Sequence, residues 1–128
     1  MVERVLADGG HAVASLDVSK AKPAGLCQGY DCVLFGCSTW GEDTIELQDD
    51  FIPLFDAFDA IGAKDVKVGA FGCGDSSYTY YCGAVDAIEE RLGELGAKVI
   101  VTGCKIDGDP QDAKGELEAW AKDVMAAL

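Results

Sequence analysis

The chain has no apolar run of the ~18 residues that a membrane-spanning helix needs, and it is poor in basic residues. Its 10 Lys and Arg face 23 Asp and Glu, which gives a net charge of −13. A chain this acidic is not expected to bind nucleic acid, whose phosphates require cationic side chains, or an anionic membrane surface. The first residues also lack the apolar stretch of a signal peptide. These absences predict a cytoplasmic location.

The chain also lacks the cysteine and histidine spacing of a metal site. It has 6 cysteines and 1 histidine, and no two cysteines form a CxxC pair. Zinc and iron–sulfur sites need closer ligand spacing, so we expect no metal and no catalytic thiol. Free cysteines buried as small hydrophobes suit a reducing compartment. With 128 residues, the chain is long enough for one domain with its own core.

Two similar apolar runs organise the sequence. Residues 31–37 end in Phe-Gly-Cys, and residues 66–72 end in Phe-Gly with Cys73 next; both runs pass directly into a polar loop that contains an aromatic residue. An unbroken apolar run of this length predicts a strand buried on both faces. In open α/β sheets, ligands bind at the carboxyl ends of such strands. The two loops are therefore predicted to hold a flat ring between Trp40 and Tyr78.

The remaining pattern alternates strands with helices. Val85, Ile88, Leu92 and Leu95 recur at helical spacing, for example. Alternating strands and helices predict a parallel sheet covered by helices on both faces. The predicted helices cover residues 1–8, 46–61, 85–95 and 112–128. Further strands are predicted over residues 12–16 and 98–102, the latter continuing at 105–106 after a break at Gly103.

The residue types in the two loops suit a phosphorylated ring compound. The hydroxyls of Ser38 and Thr39, with an indole N–H, can hold a phosphate without a cation. Residues 75–82 contain no proline and offer backbone N–H and C=O groups to a polar ring edge. Gly41 and Gly74 allow the backbone to approach a ligand closely.

Five stretches resemble the short-chain flavodoxins of sulfate-reducing bacteria, of the Desulfovibrio type. They span residues 33–42, 46–55, 71–78, 81–90 and 106–110, so the resemblance covers essentially the whole chain. It implies a flavodoxin-like three-layer α/β sandwich with strand order 2-1-3-4-5 and one non-covalent FMN. It also implies a monomeric low-potential one-electron carrier rather than an enzyme. Expected partners are redox proteins with basic docking surfaces, such as oxidoreductases and cytochromes.

The same resemblance assigns cofactor-binding residues on the two loops. Trp40 and Tyr78 match the aromatics that sandwich the isoalloxazine ring, and Gly41 matches the residue whose carbonyl meets flavin N5–H. Ser38 and Thr39 match the loop at the second phosphate and the ribityl chain. The remaining predicted site residues contact the pyrimidine edge through their backbone (Asp75, Tyr80 and Cys82) or lie along the same pocket (Glu42, Cys73, Gly74 and Tyr81).

One departure from the family pattern affects both the fold and the site. The family begins with an apolar strand and a hydroxyl-rich phosphate loop of the type S/T-x-T-G-x-T, and neither is present here. We therefore expect a single, N-terminally incomplete domain over residues 1–128, with a hydrophobic slot between strands 12–16 and 31–37. The first of these strands is expected to detach or to shift onto the second. Two alternatives stay open: a flavin-free or non-functional truncated module, and an FMN-dependent quinone reductase, which would need an additional substrate pocket.

Acidic residues around the predicted flavin loops should lower the reduction potential. A carboxylate about 10 Å from an anionic flavin repels it by about 1.7 kcal/mol at an effective dielectric of about 20, before screening. For one electron this corresponds to about 70 mV. The double variant Glu42→Gln/Asp43→Asn is therefore expected to raise the potential of the second one-electron step in a spectroelectrochemical titration. An unchanged midpoint would contradict this electrostatic account.

Overall fold

A computed structural model of the chain describes residues 2–16, 18–20, 22–37, 39–40, 46–47, 51–74, 82–107 and 114–128. The α-helices are α1 (Val2–Asp8), α2 (Ile52–Asp56), α3 (Gly83–Glu94) and α4 (Lys114–Ala127). The strands are β1 (Cys32–Gly36), β2 (Thr39–Trp40), β3 (Glu46–Leu47), β4 (Lys67–Gly74), β5 (Lys98–Val99) and β6 (Cys104–Asp107). Two 3₁₀ turns cover Val18–Lys20 and Phe58–Ala60.

The main sheet is parallel, as the alternating pattern predicts. β1 pairs with β4 in a register that runs from Cys32 opposite Lys67 to Gly36 opposite Phe71. On its other side β4 pairs with β5 at its start and with β6 at its end, again in parallel. β4 is therefore the central strand of the described sheet. β2 and β3 form a separate antiparallel pair.

Helices cover both faces of the sheet, so the molecule has three layers. Phe35 of β1 belongs to the core on the side of α2 and α3, where Ile88 and Leu92 are fully buried. Leu34 packs against the second core, on the side of α4, with Trp120 at its centre. Successive residues of β1 thus face opposite layers. This confirms that β1 is a strand with apolar cores on both faces.

The helix predicted over residues 46–61 is wrong in extent. Glu46–Leu47 forms strand β3, α2 covers only Ile52–Asp56, and a 3₁₀ turn follows. Pro53 lies in the first turn of α2, where its missing N–H costs no helical hydrogen bond, so α2 begins there. The aromatic spacing reflects core packing: the Phe58 ring lies 5.3 Å from that of Phe35 and 5.2 Å from that of Phe55.

The strand predicted over residues 12–16 is also wrong. This segment has no regular secondary structure, and in the described part of the chain no backbone hydrogen bond is donated by it. A strand requires a neighbouring strand within hydrogen-bonding distance, and here a groove of about 1060 Å³ is lined both by residues 12–16 and by β1. The predicted hydrophobic slot is therefore present, and the segment has not shifted onto β1.

The predicted elements of the C-terminal half are confirmed with shifted ends. α3 begins at Gly83 and α4 at Lys114, and β4 extends to Gly74. The expected break in the last strand separates β5 from β6, and the indole N–H of Trp120 donates to the carbonyl of Thr102 within this break, at 2.9 Å. Among the described residues, none of the helices combines the length and apolarity needed to cross a membrane.

The close approach of β1 and β4 predicts a strict size limit at Gly72. A Cβ at Gly72 would overlap the carbonyl oxygen of Cys37 and lie 3.1 Å from a methyl group of Val85. Gly72→Ala is therefore expected to lower the free energy of unfolding by about 2 kcal/mol. The control is Gly93→Ala in α3, where a Cβ meets nothing within 4 Å and stability should rise by up to about 1 kcal/mol. Urea denaturation measures both, and equal effects at the two positions would refute the limit.

The burial of Glu89 on α3 predicts a pH-dependent loss of stability. Its Oε1 is buried without a hydrogen bond, and burial raises the pKa of this carboxyl above 4.5. A nearby negative charge on Asp86 raises the pKa further, while the N–H of Gly103 and the charge of Lys105 partly offset the rise.

Since the folded-state pKa of Glu89 exceeds the unfolded one, ionisation destabilises the fold as pH rises through and above 4.5. Glu89→Gln should therefore be more stable than the parent at neutral pH. The difference in stability should disappear below about pH 4, where the Glu89 carboxyl is protonated in both the folded and the unfolded protein. Glu118→Gln is the matched control, because its side chain is 53% exposed. A Glu89→Gln effect that does not change with pH would contradict the assignment.

Candidate functional site

The carboxyl ends of β1 and β4 lie side by side, so the loops that follow them start together. Gly36 is opposite Phe71 in the parallel register, and the N–H of Cys37 donates to the carbonyl of Phe71 at 3.0 Å. Gly72 then approaches the Cys37 carbonyl more closely than any side chain would permit. The prediction that both loops leave one edge of the sheet is confirmed for the points where they begin.

Gly74 and Cys82, the described residues on either side of segment 75–81, lie next to each other. A Cβ built on Gly74 would lie 3.0 Å from the backbone nitrogen of Cys82 and 3.2 Å from its Sγ. Glycine at position 74 thus allows the two ends of the loop to meet. Four predicted site residues, Asp75, Tyr78, Tyr80 and Tyr81, belong to the segment between Gly74 and Cys82 and lie outside the described residues.

Cys82 anchors the end of that loop to the sheet. Its backbone is left-handed, with φ 50° and ψ 36°, and turns the chain into α3, which begins at the next residue. Its side chain is fully buried, and the thiol donates to the carbonyl of Ile106 at 3.5 Å and faces that of Gly72 at 3.8 Å. The buried thiol holds β4, β6 and the loop end together, a role that the sequence reading missed.

Cys73 and Gly74 lie half-buried at the end of β4. Their position at the carboxyl edge agrees with the prediction that they line the pocket. The predicted contact between the Cys82 backbone and a ring edge stays a prediction, because it depends on residues 75–81. None of the 6 cysteines of the chain forms a disulfide.

The first loop contains a β-hairpin rather than the start of a helix. Thr39 and Trp40 of β2 pair with Leu47 and Glu46 of β3, and β2 contacts both β4 and α3. The backbone of Trp40 therefore runs beside the end of β4. Gly41 and Glu42 belong to the segment that joins β2 to β3, and they lie outside the described residues, as does Ser38. The polar stretch after Trp40 was the available sequence signal for a break between two elements.

The lysine on β6, Lys105, is paired with a carboxylate. Lys105 lies opposite Gly72 in the strand register, and its amine contacts the carboxylate of Asp86, at the start of α3, at 2.9 Å. Both side chains are more than one third exposed, so this pair contributes little to stability. The pair does, however, neutralise the charge of a lysine that lies beside the loops. A phosphate bound here would therefore depend on hydroxyl and N–H donors, as the sequence predicts.

The described geometry fits a flat cofactor at the carboxyl edge. Two loops begin beside each other, a hairpin backbone passes beside β4, and glycine at position 74 lets Cys82 return to the end of that strand. Parallel α/β sheets bind nucleotide-like ligands at such edges. The fold and the site thus define an α/β protein of the ligand-binding, doubly wound class.

Comparisons with known proteins name the family. The sequence profile described as Flavodoxin matches residues 1–120. The flavodoxin of Nitratidesulfovibrio vulgaris (strain Miyazaki F) is 55% identical over 127 residues, which are 99% of this chain and 86% of that protein. The flavodoxin of Maridesulfovibrio salexigens is 56% identical over 108 residues, covering 84% of this chain and 73% of that protein.

A solved structure agrees with both. Oxidised flavodoxin 1 from Bacillus cereus has a TM-score of 0.84 and 29% identity, covering 99% of this chain and 86% of that one. The chain belongs to the flavodoxin family. It is a short-chain flavodoxin of the Desulfovibrio type, an FMN-binding electron carrier and not an enzyme. The alternatives of a flavin-free module and of a quinone reductase are not favoured by these relatives.

Proposed function

We propose that the chain, as one domain over residues 1–128, holds a single FMN ring between the loop after β1 and the loop after β4. The observation that carries this placement is the parallel register, which sets Gly36 beside Phe71 and so starts both loops at one edge. Bound FMN supplies one-electron chemistry, and the protein supplies binding and orientation. A flavodoxin that is 55% identical over 127 residues supports the same cofactor.

The roles of individual residues follow the two loops. Trp40 and Tyr78 stack on opposite faces of the ring, which removes the ring from water on both sides. Ser38 and Thr39 donate their hydroxyls to the phosphate and the ribityl chain. The Gly41 carbonyl accepts a hydrogen bond from N5–H, which stabilises the flavin when N5 carries a proton.

The remaining site residues define the edge of the pocket. The backbones of Asp75, Tyr80 and Cys82 hydrogen-bond the pyrimidine edge of the ring. The left-handed backbone of Cys82 and its buried thiol fix the end of this segment to the sheet. The remaining lining residues are Glu42, Cys73, Gly74 and Tyr81.

The acidity of the chain selects the partners. With a net charge of −13, the surface steers toward basic docking surfaces, such as those of oxidoreductases and cytochromes. Like-charge repulsion opposes self-association, so we propose a monomer. A cytoplasmic location agrees with 6 free cysteines.

Substitution of the two stacking aromatics tests the placement of the ring. Trp40→Leu and Tyr78→Leu are each expected to weaken FMN binding about fivefold or more, because each removes one stacking face. Isothermal titration calorimetry with FMN measures the affinity. Tyr30→Leu is the matched control: Tyr30 is 48% exposed and precedes β1 at the opposite end of the strand, so the affinity should not change. Unchanged affinity in both loop variants would refute the proposed site.

A further inference from the structure

The thiol of Cys82 lies where β4, β6 and the start of α3 meet. It donates a hydrogen bond to the carbonyl of Ile106 in β6 at 3.5 Å, and the carbonyl of Gly72 in β4 lies 3.8 Å from the sulfur. The side chain is fully buried, so water does not compete for these contacts. One thiol therefore connects two strands of the sheet to the residue that precedes α3.

The backbone of Cys82 has a conformation that needs support from its surroundings. Its φ of 50° lies in the left-handed region, which residues with a Cβ rarely adopt. Such a conformation persists only where neighbouring contacts hold it. Here the carbonyl of Cys82 accepts a hydrogen bond from the N–H of Val85 at 3.0 Å, and the thiol is bound on the side of the sheet. The thiol contact thus helps to hold an otherwise unfavourable turn.

The start of the same segment is placed against Cys82. A Cβ built on Gly74 would lie 3.0 Å from the backbone nitrogen of Cys82 and 3.2 Å from its Sγ. Gly74 belongs to β4 and lies opposite Asp107 of β6. Residues 74 and 82 are thus attached to the same two strands. Segment 75–81, which contains predicted flavin contacts, starts and ends at this point.

The position of Cys82 before binding affects the affinity for a ligand that requires it. When a ligand binds only one conformation, its apparent dissociation constant is the intrinsic constant divided by the fraction of the chain in that conformation. The predicted backbone contact of Cys82 to the pyrimidine edge requires this residue to stay where the thiol holds it. Without the thiol, a part of the flavin-free population releases Cys82 and is unable to bind FMN until Cys82 returns.

We propose that Cys82 is a positioning residue whose thiol keeps the flavin-free chain in its FMN-binding conformation. The thiol acts through the backbone of Cys82 and has no contact with the ring. The proposed placement of FMN between the two loops underlies this role. Loss of the thiol should therefore weaken FMN binding and leave the environment of the bound flavin unchanged.

Removal and replacement of the thiol test this role. Cys82→Ala keeps the Cβ and its left-handed backbone, so it removes only the sulfur. Its FMN affinity, measured by isothermal titration calorimetry, should fall about fivefold or more, the effect of about one hydrogen bond. Cys82→Ser should retain most of the affinity, because a hydroxyl can donate to the same carbonyl. Parent affinity in Cys82→Ala would overturn the proposal, and so would a changed absorption spectrum of its bound FMN.

A second buried thiol separates positioning from a general loss of stability. Cys27 is 1% exposed, belongs to the same core and precedes β1, at the opposite end of that strand from the flavin edge. Cys27→Ala should lower the free energy of unfolding in urea and leave the FMN affinity unchanged. An equal loss of affinity in Cys27→Ala and Cys82→Ala would overturn the proposal, because affinity would then follow overall stability.

Amide exchange in the flavin-free chain measures the release of Cys82 directly. The amide of Val85, which donates to the Cys82 carbonyl, should exchange about fivefold or more faster in Cys82→Ala than in the parent. The amide of Ala97 donates to the Leu92 carbonyl at the other end of α3, at 3.0 Å, and should exchange at the parent rate. Unchanged exchange at Val85 would overturn the proposal.

Comparison with Trp40→Leu distinguishes failure of this role from failure of the flavin site. Weaker binding in Trp40→Leu together with parent affinity in Cys82→Ala would leave the site standing and overturn the role of the thiol. A parent chain that does not bind FMN would overturn both. If Cys82→Ala does not fold, Cys82→Gly takes its place with the same expected loss of affinity, because glycine relieves the left-handed strain.

Discussion

The parallel pairing of β1 with β4 is the interaction on which the rest of the structure depends. In this pairing the N–H of Cys37 donates a hydrogen bond to the carbonyl of Phe71. Gly72 also lies so close to the Cys37 backbone that only glycine fits there. Both helical layers pack on this pair, and both predicted flavin loops begin at its carboxyl end. A change in its register by one residue would exchange the residues that face the two cores and would separate the loops.

The edge of β1 that faces away from β4 borders the groove, and no strand in the described part of the chain pairs with it. A dry, buried ladder without a partner would cost about 1–3 kcal/mol for each lost group. Here the unpaired groups of Leu34 and Gly36 face a groove large enough to admit water, which satisfies backbone polar groups at a lower cost. The apolar side chains that line the groove are, however, left uncovered by the described part of the chain.

Much of the fold could be predicted because it depends on local pattern. The unbroken apolar runs gave β1 and β4, and the spacing of Val85, Ile88 and Leu92 gave α3, which is confirmed. The repeated Phe-Gly-Cys correctly indicated that two loops leave one edge. The strand prediction for residues 12–16 failed because a strand forms only beside a neighbouring strand. A local sequence pattern does not show whether that neighbour is present.

Other features of the site were beyond the reach of sequence reasoning. The helix predicted over residues 46–61 was wrong because aromatic residues spaced for a shared core resemble a continuous helical stripe, although Pro53 starts a short helix. The role of Cys82 depends on a thiol contact to Ile106, which is distant in sequence. The assignments of Trp40 and Tyr78 as stacking residues rest on the two aromatic loops and on the family resemblance, and they stay predictions.

The central claim is that the edge built by β1 and β4 forms a working flavin site in this chain. A titration of FMN with the 128-residue protein, followed by flavin fluorescence, tests it most directly. Stacking between aromatic side chains quenches flavin emission, so the account predicts strong quenching with a one-to-one endpoint. Absence of quenching by a chain whose far-UV circular dichroism shows it to be folded would contradict the account. It would mean that this edge alone does not make an FMN site.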